Sequence, residues 1–314
     1  LHDSQSWWRA MGPLQDMVRV DQISLETPSQ ITWVNLRSCS LLFLQRPFDS
    51  RGVGIMQMAH SQGTPVVCDF DDDLWDLPKG NPAYIQYTPE WKDAARQCAV
   101  GADAVIVSTE QLAERVRSFK PKGKVHVIKN ALPNFYKWRN GPLSKTVWWR
   151  GGDYHRHDIK HVVPQLIEII NKNPDWHWLF GGSNPFEITE NITHDNHSSH
   201  SPIPIPEYHV KLQHVAPAII INPLQDHPFN HSKSNIGWIE AALAGSALLA
   251  PDFPQFREPG VVNYKEGGFG EALQAMLDGQ RPSVDIARRK IDAEYRLSDA
   301  NKVRLKLFRE LIGK

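Results

Sequence analysis

Three short runs in this chain of 314 residues combine residue types that could hold and transform an anionic substrate. The first is Arg150-Gly151-Gly152-Asp153-Tyr154-His155-Arg156-His157-Asp158. It follows an apolar run and opens an amphipathic one. Glycines let backbone approach a phosphate closely, and a helix N-terminus offers free N–H groups at the positive end of its dipole. Arg150 and His155 add a positive charge and donors. The bland alternative is a glycine turn with Asp158 as a helix cap. The second run extends from Pro228 to Ala242. Here Lys233 and Ser234 are expected at the start of a helix spanning 234–243, with Asn230 just before it. Glu240 lies about two turns further on the same face. A cation near phosphates plus a carboxylate for ribose hydroxyls is the set that a nucleoside diphosphate needs. Glu240 is flanked by Ile239 and Ala241-Ala242-Leu243, so the helix reads as buried and the carboxylate requires a partner. The third run, Asp69-Phe70-Asp71-Asp72-Asp73-Leu74-Trp75-Asp76, clusters carboxylates after an apolar strand. Four readings stay open for it: a divalent-metal site, a capped loop, a hydroxyl-binding site for an acceptor, or a catalytic base.

The elements around these runs alternate. Strands are expected at 40–45, 64–69, 104–107 and 124–128, with helices at 53–61, 89–100 and 109–119. A Pro, Gly, Asn and Lys-rich break at 133–142 follows, and the alternation restarts. Strands then fall at 146–149, 176–180, 218–221 and 247–250. Helices fall at 158–171, 234–243 and 269–277, and in pieces over 284–311. Short apolar strands separated by helices imply parallel βαβ units with right-handed crossovers. The expected architecture is α/β, with two Rossmann-like domains, 1–138 and 139–314, and a cleft between them. Ligands in such sheets bind at the carboxyl ends of strands.

Composition narrows the partners. Lys plus Arg and Asp plus Glu both number 35, so no global basic field points to nucleic acid or anionic membrane. The runs 120–124 and 288–290 are locally basic and read as solvated faces. Eleven Trp point to buried aromatics, or to flat sugar- or base-stacking surfaces. Cys39, Cys68 and Cys98 lack zinc or CxxC spacing and read as reduced thiols of a cytoplasmic protein. No apolar run spans a bilayer, and no signal-peptide pattern is present. The chain begins with Leu1 rather than Met, so a few preceding residues are expected. His194, His197 and His200 sit in a polar stretch, 187–207, expected to be a solvated loop; a metal site there is the alternative reading. The three sequon matches at Asn191, Asn196 and Asn230 read as chance.

With these residues in hand, the chain resembles the GT-B glycosyltransferases of the family-four type, especially bacterial and phage members of glycosyl transferases group 1. The resemblance is an ordered series over nearly the whole length: Trp8-Arg9-Ala10-Met11-Gly12-Pro13, Gln45-Arg46, Asp69 to Trp75, Val107-Ser108-Thr109, Ile128-Lys129-Asn130, Gly151 with His155 and Asp158, and Phe229-Asn230 with Lys233-Ser234 and Glu240. It implies donor binding by the C-terminal half: Arg150, Lys233 and Ser234 near the diphosphate, Gly151, Gly152, His155 and Asn230 around it, and Glu240 on the ribose. It implies acceptor binding by the N-terminal half, with Arg9, Gly12, Asp73 and Trp75 on that side. Asp71, Asp72, Arg150 and Lys233 are the expected catalytic group. The implied chemistry is metal-independent transfer from a UDP- or GDP-sugar, with retention, to a hydroxyl of a glycan, lipid-linked sugar, protein or modified DNA base. No other cofactor is implied. Alternatives on the same scaffold are a nucleotide-sugar epimerase or phosphorylase, or a nucleotide-sugar-binding partner protein without transfer activity. The chain departs from the family pattern at Ser232, which stands where the first of two glutamates is usual, and at His155, where a lysine is usual. The family's first N-terminal strand and its glycine loop are missing or very short. The last helix, about 298–311, is expected to cross back onto the N-terminal half.

Overall fold

A computed structural model describes residues 4–17 and 31–313. Ten strands form two separate parallel sheets. The first holds β1 (Leu42–Gln45), β2 (Val66–Phe70), β3 (Ala104–Val107) and β4 (Lys124–Val127), in that order. The second holds β5 (Ser144–Arg150), β6 (His177–Gly181), β7 (His197–His200), β8 (Pro217–Ile221), β9 (Ala247–Pro251) and β10 (Val261–Tyr264), ordered β10-β9-β8-β5-β6-β7. This is the expected α/β class. Every registered pair is parallel, which explains the near-continuous apolar runs: both faces of each sheet are covered.

The two-residue alternation of the strands sorts side chains between layers. Val66, Cys68, Phe70, Val105 and Val107 face one core of the first sheet. Val67, Ala104 and Ile106 face the other. That second layer is completed by Leu307 and Phe308, so the last helix, Leu297–Leu311, lies across the first sheet although it follows the second in sequence. In the second sheet Trp148, Ile220 and Leu248 face one core, and Val147, Trp149, Ile219, Ile221 and Leu249 the other. The aromatics there are mostly core: Trp148, Trp149, Trp178 and Trp238 are buried. Among the described residues no helix is long and apolar enough to cross a membrane. All three cysteines are free thiols, and burial pushes Cys98 up to about 12.

Three local expectations need correction. The stretch 187–207 is not one loop: it contains β7 and leads into the helix Ile205–Val215. β7 is polar because it is an edge strand held by backbone pairing to β6. The three histidines of the stretch are engaged separately, His194 with the Ile170 carbonyl, His197 with that of His194 and His200 with that of Ser201. β10 is a second short edge strand absent from the sequence reading. Finally, the helix carrying Glu240 runs Ile236–Ala244, so Lys233 and Ser234 precede it rather than start it. Gly245 ends it at φ +85°, a left-handed cap that favours glycine.

Candidate active site

The carboxyl ends of the two sheets face each other, and the charged runs meet there. Arg150, the last residue of β5, points its Nη2 at Glu240 Oε1, 3.6 Å away. The guanidinium also lies over the ring of Tyr208, 5.4 Å from its centroid. Tyr208 donates its hydroxyl to Glu240 Oε2 at 3.3 Å, and His209 Nε2 is 3.5 Å from Oε1. Glu240 is only 2% exposed. Burial pushes its pKa up, but Arg150, His209 and Tyr208 together hold it below the ordinary value, so it is an anion in a small cluster of charges and donors. The Glu240 partner that the sequence required is therefore Arg150, joined by two residues that the sequence reading did not single out. Tyr208 and His209 lie on the helix Ile205–Val215. Its spacing of Ile205, Tyr208 and Leu212 was the available signal, interrupted by Pro204 and Pro206.

A second group spans the two domains. Lys233 Nζ is 3.7 Å from Asp72 Oδ1 and 4.5 Å from the Phe229 ring centroid. Asn130 donates through one Nδ2 to Asp71 Oδ1 at 2.9 Å and to Ser234 Oγ at 2.8 Å. Thr109 caps the helix Glu110–Ser118 by accepting from the Leu112 N–H, and its hydroxyl donates to the Ser232 carbonyl at 2.8 Å. Burial pushes Asp71 above the ordinary carboxylate value, and the neighbouring Asp72 charge adds to this against Arg9 and two hydrogen bonds.

A third group supports the other two. His155 Nδ1 is 3.1 Å from Asp158 Oδ2, and Asn230 donates to Asp158 Oδ1 at 2.7 Å. Asp158 therefore fixes the turn after β5 to the turn before the Glu240 helix. Burial raises its pKa, and the His155 and Asn230 hydrogen bonds with the Lys233 charge bring it below the ordinary value. Asn230 is fully buried, so it braces this junction. Gly151 is required sterically: a Cβ there would sit 2.2 Å from Trp149 Cζ2. Gly152, with nothing within 4 Å of its ideal Cβ, is open.

The four residues expected on the acceptor side are held by protein partners. Arg9 is 0% exposed: Nε and Nη2 grip Asp69 at 2.8 and 2.7 Å, and Nη1 donates to the Ile128 carbonyl at 2.7 Å and to Asn130. Gly12 is buried against the Trp7 carbonyl. Asp73 is buried and bound by Arg115 at 2.9 Å, which also binds Asp76. Trp75 packs on Phe70 and Phe119 and donates to the Lys92 carbonyl. Arg9, Asp73 and Trp75 are thus each held by partners of the first sheet and its flanking segments, and Arg9 reaches the interdomain group through Asn130. The aspartates also diverge, Asp71 to Asn130, Asp72 to Lys233 and Asp73 to Arg115. Among the described residues no group of three His, Cys, Asp or Glu could hold a metal.

No family model matches the sequence, and no curated protein matches it. Solved structures do match. Sucrose-phosphate synthase from Thermosynechococcus elongatus aligns at TM-score 0.65 and 16% identity, covering 87% of this chain and 74% of that one. HepE of Anabaena, solved in complex with UDP, aligns at TM-score 0.64 and 12% identity over 88% of this chain and 80% of that one. The pneumococcal O-GlcNAc transferase GtfA, solved with UDP and GlcNAc, aligns at TM-score 0.62 and 12% identity; 90% of this chain covers 60% of that one. This chain therefore spans less than two thirds of the length of GtfA. Two parallel sheets in the same arrangement over most of the chain, at low identity, are a likeness of architecture, and the chain has the GT-B fold of these structures.

Proposed function

We propose that the chain is a glycosyltransferase that moves a sugar from a nucleoside-diphosphate sugar, UDP- or GDP-linked, to a hydroxyl acceptor. The observation that carries this is the Arg150–Glu240 pair at the carboxyl end of β5, with Lys233 and Ser234 across from Asp71 and Asp72, in a cleft of GT-B form. Glu240 is the carboxylate for the ribose hydroxyls. Arg150 and Lys233 are the cations for the diphosphate, with Ser234, His155 and the open Gly152 backbone beside them. These groups do most for catalysis where charge grows on the departing diphosphate, because only interactions that strengthen in the transition state accelerate it.

The family resemblance adds retention. On that reading the acceptor oxygen attacks from the face that the diphosphate leaves, and a diphosphate oxygen takes the acceptor proton. Asp71 and Asp72 are the acceptor-side groups, and burial raises the Asp71 carboxyl above its ordinary value. Arg150 and Lys233 supply the positive charge in a metal-independent mechanism, and the divergent aspartates agree with it. The acceptor is a carbohydrate hydroxyl in the simplest form of this reading. The solved GtfA complex with UDP and GlcNAc supports a nucleotide and a sugar in such a cleft.

The test is calorimetric binding of UDP and GDP to the wild type and Glu240→Ala. Losing a hydrogen bond to a charged group weakens binding by about 1.5 kcal/mol, roughly tenfold. Unchanged affinity removes Glu240 from the site.

A further inference from the structure

One short stretch lies over the groups assigned to the donor. Arg150 Nη2 donates to Ser4 Oγ at 3.1 Å. Gln5 bridges Asp72 and Arg46. The Trp8 indole meets His209 edge-on at 5.6 Å between centroids, and His209 in turn neighbours Glu240. Trp8 is 2% exposed and belongs to the core of the second sheet, beside Trp148 and Tyr208. The next residue, Arg9, is clamped to Asp69 at the end of β2 in the first sheet. The segment is thus anchored on one domain and inserted into the other.

Its seat is poorly satisfied. Glu240 Oε1 is met only at 3.5–3.6 Å, by His209 Nε2 and Arg150 Nη2, and His209 Nδ1, the Tyr136 hydroxyl and the indole nitrogens of Trp7 and Trp8 are buried without a hydrogen-bond partner among the described residues. Buried polar atoms in folded proteins are nearly all paired, and each exception destabilises the seat. A nucleoside diphosphate carries the hydroxyls, carbonyls and N–H groups that would pair them. The backbone from Trp7 to Met11 is a π-helix, a rare form that concentrates at functional positions.

We infer that Ser4–Trp8 is a displaceable plug. Seated, it covers Arg150 and Glu240. A nucleoside diphosphate binds after the plug swings out about the Arg9 anchor and leaves the Glu240–His209 chamber to the nucleoside. The inference rests on the reading of Arg150 and Glu240 as a donor site. Binding is then a competition: apparent affinity falls by the fraction of molecules with the plug out, and weakening the seat restores it.

The experiment measures UDP and GDP binding by calorimetry to the wild type, Trp8→Ala and Gln5→Ala, with backbone hydrogen exchange of the unliganded protein beside it. Trp8→Ala binds at least tenfold tighter. Gln5→Ala, at a partly buried surface position that does not threaten folding, binds about threefold tighter. Wild-type or weaker affinity in both folded variants overturns the plug and leaves the donor reading standing. If neither nucleotide binds any of the three proteins, the donor reading falls, and exchange decides the plug alone. Amides of residues 5–11 that exchange as slowly as those of Val66–Phe70 overturn it. Exchange many-fold faster, and faster again in Gln5→Ala, upholds it.

Discussion

Replacing Arg9 separates a structural anchor from an acceptor contact. The Arg9 guanidinium is fully buried, grips both oxygens of an equally buried Asp69 and reaches a backbone carbonyl and Asn130. Arg9→Ala removes the fork and leaves the Asp69 carboxylate in a dry setting. Breaking a buried pair in this way costs about 3–5 kcal/mol, and the emptied volume works in the same direction. Arg9→Lys keeps a charge but has one point donor in place of a planar fork, so a loss of roughly 2 kcal/mol is expected. Urea unfolding followed by circular dichroism measures both. An Arg9→Ala protein within about 1 kcal/mol of wild type refutes the reasoning, because an acceptor-facing arginine is the residue whose loss stability would not register.

Two further predictions use the same structure. Gly151→Ala drives a Cβ into the Trp149 indole, which is itself core, so a loss of about 1–3 kcal/mol is expected in thermal melts. Gly152→Ala is the control: its Cβ has open space and its φ of −75° suits any residue, so its melting temperature stays near wild type. Acid should destabilise the site through Glu240 and Asp158. Their folded values lie below the ordinary 4.5 and 3.8, so the stability they contribute is full above those values and is lost as pH falls through the depressed ones. Urea unfolding between pH 7 and pH 3 shows this. The decline is shallower in Glu240→Gln with Asp158→Asn, and an unchanged slope contradicts the assignment.

Much of the fold is legible because parallel strands write themselves as apolar runs. Ile219-Ile220-Ile221, Val66-Val67-Cys68, Val105-Ile106-Val107 and Leu248-Leu249-Ala250 face protein on both sides and are buried throughout. β7 is illegible for the converse reason: His197-Ser198-Ser199-His200 is held by backbone bonds to β6, which its side chains do not report. Arg150 and Glu240 stand out in the sequence because local rules place them, at a strand end and on a buried helix, and they meet in the structure. The N-terminal segment could not be placed that way. Arg9 meets Asp69 across 60 residues, and Trp8 meets His209 across a domain boundary. The partners of Asp73 and Trp75 are hidden for a related reason. A strand-end aspartate looks the same in sequence whether it faces a cleft or, as Asp73 does, Arg115.

The melting temperature of the chain, measured against UDP, GDP and their sugars with and without EDTA, tests the donor site. A ligand at ten times its Kd stabilises the folded state by about 1.4 kcal/mol, a shift of roughly 3 °C. One nucleoside diphosphate and its sugars give this shift, EDTA leaves it intact, and Glu240→Ala diminishes it. No shift with any nucleotide at millimolar concentration contradicts the donor site, and a shift abolished by EDTA contradicts the metal-independent chemistry.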